Sequence, residues 1–127
     1  MKKASCTLLI DKLNKKFLSV SLKDDKTDAN LPGGKVEPNE THKQAAIREL
    51  KEETGLNILE KDLIKFQEEI EEEYNVITYL VLKWSGEIYT EEEGVVKWLP
   101  FIFLTKSKKW KRYNTNLYTK LADEHYI

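Results

Sequence analysis

The chain has 127 residues, 40% of them hydrophobic, 10% aromatic and 34% charged, which is enough apolar material for one core and argues against wholesale disorder. Its 21 Lys and Arg against 22 Asp and Glu leave a net charge of −1. No global basic field therefore exists to hold nucleic acid non-specifically, and any phosphate must be neutralised by local groups or metal ions.

A single domain over residues 1–127 is expected, since no repeat, low-complexity tract or Pro/Gly/Ser-rich linker interrupts it. The first strand falls over Ala4–Ile10, and turn residues 11–16 lead into a second over Phe17–Leu22. Residues 23–30 are polar and read as a loop, and Leu31-Pro32-Gly33-Gly34 as irregular backbone. A helix follows, opened by the capping box Thr41/Gln44 and closed by Gly55. Strands are expected over Leu63–Ile70 and Asn75–Leu82, joined by the acidic turn Glu71-Glu72-Glu73, and a short one over Val95–Leu99 before Pro100. A last helix over Asn114–Asp123 places Leu117 and Leu121 on one face. Interleaved strands and helices indicate an α/β domain. The longest nearly apolar run, Val76–Leu82, is too short to span a bilayer. The N-terminal run ends at Asp11 without a secretory h-region, and one cysteine, Cys6, suits a reducing cytoplasm.

Chemistry concentrates between Gly33 and Leu56. Glu49, Glu52 and Glu53 are spaced three and four apart, so on a helix three carboxylates project from one face and converge. Like charges on adjacent turns repel, and a hard divalent cation such as Mg²⁺ removes that objection, since it takes carboxylate oxygens and few protein ligands. The Gly33-Gly34 pair lets backbone approach a ligand closely.

This segment resembles the Nudix box, G-x5-E-x7-R-E-U-x-E-E-x-G-U with U aliphatic. Gly34, Glu40, Arg48, Glu49, Leu50, Glu52, Glu53, Gly55 and Leu56 fill its fixed places. A chance match in a chain of this length is on the order of 10⁻⁷ or less. The resemblance implies the Nudix fold, a mixed β-sheet sandwiched between helices with the box as loop-helix-loop. It also implies a Mg²⁺ (or Mn²⁺) site on Glu49, Glu52, Glu53 and the Gly34 carbonyl, with Arg48 orienting a box glutamate and Glu37 and Glu40 bracing the loop. Glu93, first among Glu91, Glu92 and Glu93, is the implied further metal ligand or general base. Lys35 and Lys23 are implied phosphate contacts, Lys23 standing where the family more often has Arg. Asn114 is the implied base-reading amide, a role that a helix N-cap at the same position rivals.

Outside the box, Trp84, Trp98 and Trp110 are read as structural and the basic run 106–112 as a solvated loop. The acidic cluster Glu68, Glu69, Glu71, Glu72 and Glu73 is read as a solvated hairpin end, His42 and His125 as surface residues, and Cys6 as a small core residue. The implied reaction splits a nucleoside diphosphate-X bond, and the short MutT-like members point to a nucleoside triphosphate, oxidised or not, giving monophosphate and pyrophosphate. ADP-ribose, a dinucleoside polyphosphate or a capped RNA 5′ end is the alternative substrate, and a catalytically silent nucleotide-binding module the alternative class. No membrane partner is expected. A monomer and a homodimer both remain open.

Overall fold

The computed structural model of the chain describes residues 1–22, 24–90 and 94–127. Seven strands form one mixed sheet: β1 Lys2–Asp11, β2 Lys16–Leu22, β3 Asp25–Asn30, β4 Gly33–Lys35, β5 Ile64–Glu71, β6 Tyr74–Val81 and β7 Gly94–Pro100. The main path runs β3-β2-β1-β6-β5, with β7 on β2 and β4 on β1. Two helices complete the fold, α1 His42–Thr54 and α2 Lys111–Asp123. Short 3₁₀ turns lie at Glu60–Asp62 and Phe101–Lys106.

Strand β1 organises the sheet. From Lys2 opposite Tyr74 to Leu9 opposite Val81 it pairs in parallel with β6. Its first half takes β4 on the other side, Cys6 opposite Gly33 and Ser5 opposite Gly34, while its end turns back antiparallel into β2. Successive side chains of a strand point to opposite faces. Leu8, Ile10, Phe17, Val76 and Leu80 therefore pack against Tyr113, Leu117 and Leu121 of α2. Leu9, Leu18, Ile77, Tyr79 and Val81 pack against Ala46 and Leu50 of α1. A mixed sheet thus lies between helices, as the sequence implies.

Several boundaries differ from the sequence reading. The polar stretch after β2 is strand β3 from Asp25, because β2 supplies its ladder partners although Asp-Lys-Thr-Asp-Ala-Asn carries no apolar alternation. Gly33 and Gly34 belong to a short strand: a Cβ on Gly33 would stand 2.9 Å from Cys6 Sγ, so glycine permits the close pairing with β1. Helix α2 begins at Lys111 with Trp110 at the N-cap, which supplies no side-chain cap bond. Asn114 therefore lies inside the helix, and its N-cap reading is corrected.

Candidate active site

Helix α1 and strand β4 place the chemically interesting residues side by side. Thr41 accepts from Gln44 N at 3.1 Å, and Gln44 Oε1 accepts from Thr41 N at 2.9 Å, a complete capping box. At the other end Gly55 takes a left-handed φ of 84°, and its N–H donates to Lys51 O at 2.9 Å. Ala45, Ala46 and Leu50 bury one flank of α1 against the sheet and leave Arg48, Glu49 and Glu53 facing the Gly33-Gly34 strand.

Arg48 is the hub. Its Nε and Nη2 hold Glu40 bidentately at 2.8 and 3.0 Å, its Nη1 donates to Glu49 Oε1 at 2.8 Å, and its Nη2 also donates to Lys35 O at 3.1 Å. Such forked, charge-assisted bonds fix planar groups in direction as well as distance. Glu40 also accepts from Glu37 N at 2.9 Å, and Glu37 itself lies 3.8 Å from Arg48 Nη1. The Arg48 bond first, then the Glu37 N–H, holds the Glu40 carboxyl down at about 2, against an ordinary 4.5. In return, its bonds to Glu40 raise the Arg48 guanidinium above its ordinary value.

The three box carboxylates do not converge on one point. Glu49 is packed under Gly34, where an added Cβ would stand 2.6 Å from its Oε1. Glu53 accepts the backbone N–H of Gly33 at 2.9 Å. Glu52 reaches only the flank of Arg48, at 3.5 Å, with its side chain 46% exposed. Mutual repulsion, one guanidinium and one amide draw the three apart. Among the described residues no three His, Cys, Asp or Glu side chains enclose an ion site. The local field is nonetheless negative: burial, then Glu53 and Glu49, push the Cys6 thiol up to about 12.

A cavity of about 480 Å³ opens beside this ridge, with Gly33, Gly34, Lys35 and Glu53 along one side. Tyr74, Lys109 and Trp110 also line it, and Val20 and Val96 of β2 and β7 add apolar wall. Lys35 Nζ lies 6.0 Å from the Tyr74 ring centroid, so its ammonium faces the aromatic wall.

The remaining sequence candidates divide. Lys23 and Glu91, Glu92 and Glu93 lie outside the described residues. Asn114 is 3% exposed and does not border the cavity, although its N–H donates to Trp110 O at 2.8 Å one turn earlier. Trp110, read as structural, and Lys109, read as solvated, both face the cavity; neither lone aromatics nor basic runs carry a signal for that. Trp84 and Trp98 are structural, their rings 5.4 Å apart beside the α1 core. The acidic hairpin is not simply solvated: Glu69 and Glu71 bind Arg112, Glu73 binds Lys2, and Glu71 and Glu72 border the cavity. His42 is half-buried rather than on the surface, with Nε2 enclosed and without a partner among the described residues. Cys6, as expected, packs against the α2 core.

The NUDIX domain family model matches residues 2–121. The chain belongs to the Nudix family. Among known proteins, the 8-oxo-dGTP diphosphatase of Buchnera aphidicola subsp. Schizaphis graminum is 35% identical over 69 residues, covering 54% of this chain and 53% of that protein. The Escherichia coli K12 8-oxo-dGTP diphosphatase is 35% identical over 76 residues, covering 58% of this chain and 59% of that protein. The chain thus spans little more than half the length of these relatives. A MutT structure described for Aliivibrio salmonicida and Vibrio cholerae superposes with a TM-score of 0.79 at 21% identity, covering 96% of this chain and 98% of that one. This likeness confirms the Nudix fold.

Nudix hydrolases generally use divalent metals, and the donors here fit such an ion. Glu49 and Glu53 offer hard oxygens, and both are packed on the glycine strand in a cradle that a Cβ on Gly34 would fill. No helix among the described residues is long and apolar enough to cross a membrane.

Proposed function

We propose that this Nudix domain hydrolyses a nucleoside triphosphate, with an oxidised purine nucleotide such as 8-oxo-dGTP foremost, to the monophosphate and pyrophosphate. The observation that carries the reading is the placement of Glu53, held by Gly33, in the lining of a cavity that Trp110 and Tyr74 also line, with Glu49, held by Arg48, packed against Gly34 beside it. Charged carboxylates at one edge suit the polyphosphate end of a nucleotide, and aromatic and valine surface suits its base. The names of the relatives support the same choice.

Mg²⁺ is the proposed ion, with Glu49, Glu53, Glu52 and the Gly34 carbonyl as its holders. When bound, such an ion neutralises phosphate charge and lowers the pKa of coordinated water. The chain's own residues supply orientation: Arg48 fixes Glu49, Glu40 fixes Arg48, and the Gly33 N–H fixes Glu53. Lys35, in the cavity lining, is proposed as one phosphate contact, and Lys23 as a second. Glu93 is the proposed proton acceptor or additional ligand. The Thr90 hydroxyl donates to Glu52 O at 2.8 Å, tying the chain at Thr90 to the box helix. Asn114, one helical turn beyond Trp110, stays a proposed base-reading amide that would have to be uncovered on binding, since it is buried off the cavity.

The test is product identification with a panel of nucleotides, with and without Mg²⁺. The expected result is Mg²⁺-dependent release of pyrophosphate, fastest from an oxidised purine triphosphate. Orthophosphate as the product, or no turnover of any member, overturns the reading. Preference for ADP-ribose, a dinucleoside polyphosphate or a capped RNA moves the substrate and leaves the reaction class.

A further inference from the structure

The cavity wall that carries Trp110 is not held by α2 alone. Ser107, Lys108, Lys109 and Trp110 connect the 3₁₀ turn at Phe101–Lys106 to α2, and this connection is tied to β3 by one buried carboxylate. Asp28 is 8% exposed. Its Oδ1 accepts from Lys108 N at 2.8 Å and Ala29 N at 2.9 Å, while its Oδ2 accepts from Asn30 Nδ2 at 3.3 Å. Ser107 Oγ then accepts from Trp110 N at 3.2 Å, closing the connection into a turn. Asn30, Lys109 and Trp110 all border the cavity. A buried carboxylate persists only where such bonds satisfy it, so the geometry is strongly specified.

We propose that Asp28 is a positioning residue for nucleotide selection: one buried carboxylate sets two parts of the cavity wall, the Asn30 amide through Oδ2 and the Lys109–Trp110 segment through Oδ1. The proposal rests on the nucleotide-hydrolase reading above and names the device that gives its cavity a fixed shape. Lys108 contributes through its backbone amide. Its ammonium points away, to Asp25 at 2.8 Å and Thr27 at 3.0 Å. Loosening the wall weakens binding of the base without disturbing the carboxylates that serve the phosphates, so KM and base preference change while kcat does not.

Three variants test this. Asp28→Asn removes the charge that strengthens all three bonds while keeping the side chain's size. Lys108→Pro removes the backbone donor, and Ser107 at φ −60° and ψ 133° already has the backbone that precedes proline. Lys108→Ala removes only the ammonium. With nucleoside triphosphates differing only in base, Asp28→Asn and Lys108→Pro should each raise KM for the preferred one about tenfold and narrow its advantage over the others. Their kcat should stay within about twofold of wild type, and Lys108→Ala should resemble wild type. Wild-type KM and preference in both Asp28→Asn and Lys108→Pro overturn the proposal, as does an equal loss in Lys108→Ala. Should Asp28→Asn fail to fold, the two Lys108 variants decide. If wild-type protein splits no nucleotide, the functional reading fails. The brace is then judged by acrylamide quenching of Trp110, taken as the difference from Trp110→Phe: increased access in Lys108→Pro supports it, and unchanged access overturns it.

Discussion

Glu53 and Glu52 are adjacent in the chain and differ sharply in surroundings, one bonded to the Gly33 amide and the other on the open flank of Arg48. Glu53→Gln retains an acceptor for that amide, so folding should survive while turnover falls by about two orders of magnitude or more. Steady-state rates at saturating Mg²⁺ check this, and near wild-type turnover in both Glu53→Gln and Glu52→Gln would overturn the metal assignment. Glu40 makes a different, pH-dependent contribution. Its carboxyl titrates near 2 in the folded chain against an ordinary 4.5, so the folded state binds that proton less readily. The stabilisation is therefore complete above about pH 4.5 and is lost as pH falls towards 2. Melting temperatures of wild type and Glu40→Gln should differ at pH 7 and draw together below pH 3; a constant gap would refute the assignment. The residue types at these positions are legible because the box spacing is rigid. Their division of labour is not, since it depends on where strand β4 lays its amides.

At the scale of elements, α1 is written out in the sequence from cap to cap. The Thr41/Gln44 box and the left-handed Gly55 stand where the spacing predicts. Thr41→Ala removes one cap bond and should cost about 1 kcal/mol. Gly55→Ala should cost more, since it forces a residue with a Cβ into the left-handed region, about 1–2 kcal/mol, and drives that Cβ into the Tyr89 backbone. Urea unfolding of the two variants should rank them in that order. Elements defined by neighbours were not legible. β3 is polar and lives on its pairing with β2, and β4 hides within a Pro-Gly-Gly run whose composition signals a turn. Helix α2 starts three residues earlier than its apolar spacing suggests because no capping side chain marks its beginning.

Over the whole molecule, β1 contributes Leu8 to the core under α2 and Leu9 to the core under α1. Both residues are fully buried. Leu8→Ala and Leu9→Ala should each cost about 2–5 kcal/mol. Because the two cores share this strand, each variant should still unfold in one transition, with fluorescence and far-UV circular dichroism coinciding. Separate transitions would show that the two faces are independent. The apolar runs of β1 and β6 were readable in advance; the parallel pairing between them was not, because it joins segments far apart in the chain.

That pairing also sets a timetable for the nascent chain. Strand β1 leaves the ribosome well ahead of its partner β6, whose Val81 end follows only after about 70 more residues. At about 5–20 residues per second, one edge of the Leu8-Leu9-Ile10 segment waits several seconds for its neighbour. Through that interval the strand that later anchors both cores is an open, apolar edge, the natural client of a chaperone that binds during synthesis. A force-sensing arrest sequence placed at successive positions should register its main folding pull only once β6 has fully emerged. An earlier pull would mean that β1, β2 and β4 fold without β6.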